Sequence, residues 1–282
     1  MVARPFAGLP GEADWIALRE IVPAATAPLT LVGEHAGRAV TVATVLPMTA
    51  PALVRGDGSV LLGLQVPGAS GDPSRAAADA LIRALAAEPG TPVAPLGTPV
   101  AGSQPAGPRL QDLLDPVRPL EVTVHDSFAF WLPPTDRTEP ADGAASIDPA
   151  VSASLELANA EIIPTVRLSS VPGAYWCQLK ERNHLRWIWP EPEDRMLDAM
   201  ARLHAAGADS LGDGTRFVGS FRAHGVLVPV WDLRPDVQAQ NLEKPAIVYA
   251  ERLAQALDEA GPLTSAQRGA RAGLQTRQLT LR

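Results

Sequence analysis

Apolar positions along this chain switch repeatedly between a helical and a strand-like period, and the switching predicts an α+β fold. Trp15, Ile16, Leu18 and Val22 give one apolar side to a helix over residues 12–21, which Pro23 stops. Strand-like runs follow at 29–32 and 40–46. Runs 52–55 and 60–66 flank Gly56-Asp57-Gly58-Ser59, where Asp-Gly suits a tight hairpin turn. Asp72 and Pro73 occupy the N-cap and first-turn positions of a helix reaching residue 88, with Ala77, Ala78, Leu81, Ile82 and Leu85 inward. Residues 89–109 are rich in Pro, Gly and Ala and have no period, so they read as a loop. Two strands are expected at 122–127 and 128–132, then a polar linker at 133–147.

The second half begins in the same way. Asp148-Pro149 opens a helix with Val151, Leu155, Ala158 and Ile162 on one face. Strands are expected at 165–171, 175–180 and 184–189. A helix follows at 192–204 with Met196, Leu197, Met200 and Leu203 inward. Strands at 217–223 and 226–233 flank His224-Gly225. A helix starts near Lys244-Pro245 and ends at Gly261-Pro262, and a short one begins at Thr264 with Gln267 completing a capping box. Both halves thus read helix, three antiparallel strands, helix, two strands. Pro67 and Pro190 lie 123 positions apart, Trp131 and Trp231 lie 100 apart, and the difference is close to the length of 89–109. The expectation is a tandem pseudo-repeat with C-terminal helices: unit 1–132, linker 133–147, unit 148–261 and basic tail 262–282. One domain with a coincidentally similar element order is the alternative.

Charge changes this picture at one end. Residues 262–282 carry Arg268, Arg271, Arg277 and Arg282 and no acid, +4 against a total of −7, so residues 1–261 carry −11. An acidic body disfavours generic nucleic-acid binding, which is driven by cations; the tail arginines are the exception. The single cysteine, Cys177, excludes an internal disulfide and a cysteine-based zinc cluster. No apolar run approaches the roughly 20 residues needed to cross a bilayer, and residues 1–11 lack the apolar stretch of a secretory leader. A cytoplasmic protein is expected.

Recognised chemistry is sparse. Gly56-Asp57-Gly58 and Gly212-Asp213-Gly214 lack the Lys-Ser/Thr ending of a phosphate loop and read as turns. Ser70 only approximates a nucleophile elbow. His35, His125, His184, His204 and His224 show no metal-ligand spacing, Cys177 reads as a small core residue, and no cofactor is implied. The most informative segment is the second hairpin. A turn at Arg182-Asn183 would pair Trp176 with Trp189, Gln178 with Trp187 and Lys180 with Leu185. That face is either a recognition platform or core beneath the helix carrying Met196 and Met200, with core the better reading.

Two resemblances bear on function. The element order resembles small type III secretion chaperones, which bind other proteins; the likeness is one of pattern and implies little about function. The opening "VARPFAGLPGEADWIALREIVPAAT" and closing "LTSAQRGARAGLQTRQLTLR" resemble an uncharacterised family of high-GC Gram-positive bacteria, whose members are sometimes labelled preprotein translocase motors. The motor's phosphate loop is missing, so the resemblance implies no ATPase and brings no catalytic residues. The leading expectation is a non-enzymatic protein-binding or chaperone-like module, with Trp176, Gln178, Lys180, Trp187, Trp189, Arg268 and Arg271 as candidate contacts. The alternatives are an enzyme assembled from His125, Asp126, His184, Arg186 and His224, and an RNA- or ribosome-associated factor using the tail.

Overall fold

The computed structural model describes residues 2–67, 71–94, 107–132 and 149–276. Ser70, most of the linker regions, Asp148 as a helix cap, Arg277 and Arg282 lie outside them. The chain forms two compact units: a central one, Val22–Asp115 with Glu121–Ile163, and a C-terminal one, Met1–Ile21 with Pro116–Leu120 and Pro164–Arg282. These units cut across the boundaries read from the sequence. The first helix, α1 (Glu12–Glu20), belongs with the second half of the chain.

The central unit is built on β1 (Ala25–Leu29), β2 (Val40–Ala43), β3 (Ala52–Val54), β4 (Val60–Gly63), β5 (Pro92–Val93) and β6 (Thr123–Val124), in the order β5-β3-β4-β2-β1-β6. The expected hairpin is present, with Val54 opposite Val60. Its loop is longer than a two-residue turn: Arg55 N–H donates to Ser59 O at 2.8 Å. Gly58 takes φ +82° there, a left-handed conformation cheap only for glycine. The helix α2 (Pro73–Ala86) starts where Asp72 accepts from Arg75 N–H at 3.4 Å, and it packs against β3 and β4. A short helix, α3 (Leu110–Leu113), follows, and α4 (Pro149–Ala160) forms where expected. Residues 128–132 are not a strand: Ala129–Trp131 is a 3₁₀ turn. It lets the Trp131 indole N–H reach Val45 O at 2.9 Å and the ring stack on Phe128 at 4.5 Å.

The C-terminal unit has an antiparallel sheet of β7 (Thr165–Arg167), β8 (Ala174–Leu179), β9 (Arg182–Trp187), β10 (Thr215–Ala223) and β11 (Val226–Leu233), in the order β10-β11-β9-β8-β7. The central sheet, by contrast, pairs β2 with β4 in parallel, because β3 folds back on the far side of β4. The strand orders differ, so the tandem pseudo-repeat is not borne out, while the α+β class stands.

Successive strand residues alternate between faces. One face of the C-terminal sheet carries Trp176, Leu185, Trp187, Phe217, Trp231 and Leu233 into a core shared with three helices, α5 (Glu193–Ala205), α6 (Ala239–Asp258) and α7 (Ser265–Thr276). The N-terminal segment docks through residues of the opposite face. Asp14, 3% exposed, accepts from Arg167 Nε and Nη2 at 3.1 and 2.9 Å and from Tyr175 Oη at 2.6 Å. At Gly173, φ +70°, a Cβ would come within 2.6 Å of Ala13 Cβ, so only glycine lets the helix approach.

The described part of the basic tail packs into the C-terminal unit. The Thr264/Gln267 capping box forms, with mutual contacts of 2.8 and 3.3 Å. Leu274 is 4% exposed inside the shared core, and Arg271 bridges Asp194 and Asp198 of α5 at 2.6 Å each. Burial of one leucine outweighs the helix weakness of Gly269 and Gly273.

Two outcomes follow. Leu274→Ala lowers unfolding free energy by about 2–4 kcal/mol, read from the urea midpoint; an unchanged midpoint would detach α7 from the core. The second concerns the chain's two tyrosines, Tyr175 and Tyr249, each 1% exposed. Burial holds both phenols above their usual range, with Asp14 adding to the effect at Tyr175 and Asp209 at Tyr249. Raised folded values mean stability that is whole below the unfolded pKa of about 10 and lost as pH rises beyond it. Tyrosinate absorbance is therefore expected to appear only together with loss of the helical signal. Half of it developing near pH 10, roughly the free phenol value, in a folded protein would contradict this.

Candidate functional site

The tryptophan hairpin is core. The turn falls at Lys180-Glu181, with Lys180 at φ +59°, so Trp176 opposes Leu185 and Ala174 opposes Trp187. The register differs from the expected one by an even step, which leaves the same residues on the same face. Trp176 and Trp187 are 5% and 1% exposed, and their indoles donate to Val237 O and Pro172 O at 3.1 and 3.0 Å. Trp189 packs half-buried against this core, whereas Gln178 and Lys180 are exposed. The turn lies where it does because Asn183 is fully buried, its amide donating to Pro235 O and Val237 O at 3.2 and 3.1 Å. Of the two tail arginines among the candidate contacts, Arg271 is held by aspartates and Arg268 donates to Leu263 O.

The groups of the enzyme reading are divided between the two units. His125 shares a hydrogen bond with Thr26 at 2.8 Å and, with Asp126, belongs to the central unit; burial lowers its pKa. His224 sits in the β10–β11 turn, 2.7 Å from Glu20 and edge-on to Phe6. His184 and Arg186 lie towards the other end of that sheet, with His184 3.1 Å from Asp232. Cys177 stands opposite His184 in the register, but the two share no hydrogen bond, and burial pushes the thiol upward. A raised thiol is a poor nucleophile. Among the described residues no group of three His, Cys, Asp or Glu side chains is placed to hold a metal.

A different feature stands out on α6. Leu242, Ala246, Tyr249, Leu253 and Ala256 form its buried side at spacings of 4, 3, 4 and 3. Lys244, Val248 and Arg252 recur every four residues on the outer side, so one apolar residue stands between two cations. With Ser210, Leu211, Gly212 and Pro245 they line a groove of about 410 Å³. Val248 is 43% exposed, and Lys244 and Arg252 have no hydrogen bond or ion pair from their side chains among the described residues. At 1.5 Å per residue the two cations are rooted about 12 Å apart along the axis. The stripe is hidden in the sequence because Lys244-Pro245 reads as a helix start. The helix begins earlier, where Gln238 and Asn241 form a capping box, and Pro245 is carried inside it. The four-residue spacing was the available signal.

The family model described as "Family of unknown function (DUF5926)" matches residues 5–282, spanning both units. The chain belongs to this family. No curated protein matches it, and no solved structure does. The DUF5926 description assigns no activity or partner, so groove geometry and charge carry the functional argument. No helix among the described residues is long and apolar enough to cross a membrane.

Proposed function

We propose that the protein is a cytoplasmic, non-enzymatic protein-binding module whose α6 groove takes an extended segment of a partner, with an apolar side chain between two carboxylates. The observation that carries this is the Lys244–Val248–Arg252 stripe, two cations without counter-charges beside exposed apolar wall. In an extended chain, alternate residues share a face and residues four apart are about 13 Å apart. The matching motif is therefore acid-x-apolar-x-acid, with carboxylates over Lys244 and Arg252 and the apolar side chain against Val248, Leu211 and Pro245. A groove of about 410 Å³ suits a few side chains better than a helix about 10 Å across. The apolar contact supplies affinity, and the cations supply register and selection.

The other readings have less support. The five histidine, aspartate and arginine candidates are divided between the two units, and Arg271, one of the four tail arginines, is already paired with two aspartates of α5.

Selection of a random displayed peptide library on the whole protein tests the proposal. Enriched peptides are expected to share acid-x-apolar-x-acid, and the Lys244→Glu/Arg252→Glu variant, equally folded, to enrich base-x-apolar-x-base. Neutralising both cations weakens a selected peptide about tenfold, at roughly 0.2–1 kcal/mol per exposed pair. The same peptides enriched on both proteins, or no consensus on either, would overturn it.

A further inference from the structure

A second arrangement lies at one end of the C-terminal sheet, apart from the α6 stripe. Cys177, His184, Asp232 and Arg216 are successive register partners on β8, β9, β11 and β10. Paired residues project from the same face, so these four form one row across the sheet. Asp232 uses both carboxylate oxygens, Oδ1 3.1 Å from His184 Nδ1 and Oδ2 3.0 Å from Arg216 Nη2. Arg182 and Arg186 flank His184 two residues away on each side and share its face. Neither guanidinium has a hydrogen bond or ion pair among the described residues. A cavity of about 400 Å³ opens beside them, lined by Glu181, Arg182, Arg216, Asp232, Leu233 and Pro235.

Three guanidiniums stand here against two carboxylates, one of which, Asp232, is already shared between His184 and Arg216. The excess of one positive charge fits a single small oxyanion and not a polyanion. Guanidinium forks match phosphate oxygens two at a time. The cavity is several times larger than a bare oxyanion, and Leu233 and Pro235 give it an apolar wall.

We propose that this cavity is a binding site for a phosphate group, held by Arg182 and Arg216 beside the His184–Asp232 pair and carried by free phosphate or a small phosphomonoester. His184 reports occupancy. Burial is the largest influence on its pKa and lowers it; Asp232 opposes that, and Arg186 and Arg182 lower it further. The groups facing it are Cys177 from β8, Arg182 and Arg186 from its own strand, Asp232 from β11, Arg216 from β10 and Glu181 at the turn. A bound anion offsets the arginines and therefore raises the histidine pKa.

The test uses the whole protein with sulfate, whose charge is constant while histidine titrates. The His184 ring resonances are followed against pH in sulfate and in chloride at equal ionic strength. Sulfate is expected to raise the His184 pKa by about half a unit or more. Arg182→Gln, at an exposed position, should abolish that rise and weaken binding about tenfold without moving the melting temperature. Calorimetry with inorganic phosphate and phenyl phosphate then separates the two carriers. Tighter binding of phenyl phosphate identifies an ester site, and equal binding a site for the free ion. No difference between sulfate and chloride, or an equal rise in Arg182→Gln, would overturn the site.

Discussion

One buried carboxylate organises the C-terminal unit. Asp14 sits on a helix from the start of the chain, yet its partners, Arg167 and Tyr175, come from strands more than 150 residues later. A buried carboxylate without partners would cost several kcal/mol. Here two guanidinium N–H groups and a phenol O–H satisfy it, and its charge in turn raises the Arg167 pKa. These three donors tie the helix that carries Asp14 to the sheet. Gly173 allows the close approach, and the contacts of Arg4 with Glu12 and Pro190 O at 2.7–3.1 Å extend the docking toward the N-terminus.

With an N-terminal helix docked on one face of the sheet and three helices packed on the other, chemistry is left to the rims. The α6 stripe is the outer side of a covering helix, and the Arg182–Arg216 cavity lies where the strands end. Both are polar features beside apolar wall, and both keep cations in a protein whose net charge is −7. In an acidic molecule, local cations without counter-charges mark places where an anionic group from outside is better accepted than on the surface around them.

Local chemistry was legible in the sequence. Asp72-Pro73 capped a helix, Thr264 and Gln267 formed their capping box, and the hairpin around Asp57-Gly58 closed. Each depends on residues within a few positions of one another. The misread parts depended on distant partners. Asn183 reads as a turn residue on its own, but its amide is needed by two carbonyls more than 50 residues away, so the turn moves to Lys180. Pro245 reads as a helix start, but the buried side of α6 continues upstream through Leu242, and burial outweighs the proline. The likeness of the two halves lay in the order of elements, and strand order in a sheet is set by long-range pairing that element order does not encode. Of the candidate site, Arg186 and His184 were visible as residues; Arg216 and Asp232 entered only through the register.

The dependence of the C-terminal unit on the Asp14 carboxylate is most directly measured by a double-mutant cycle of Asp14→Asn and Arg167→Gln, with unfolding free energies from urea titration. Contacting residues in one network couple by about 0.5–3 kcal/mol, whereas independent sites add within about 0.5 kcal/mol. The expected result is a coupling in the upper half of that range, with Asp14→Asn alone strongly destabilising. Additive effects, or an Asp14→Asn protein as stable as the parent, would contradict the account and leave the N-terminal helix held by its other contacts.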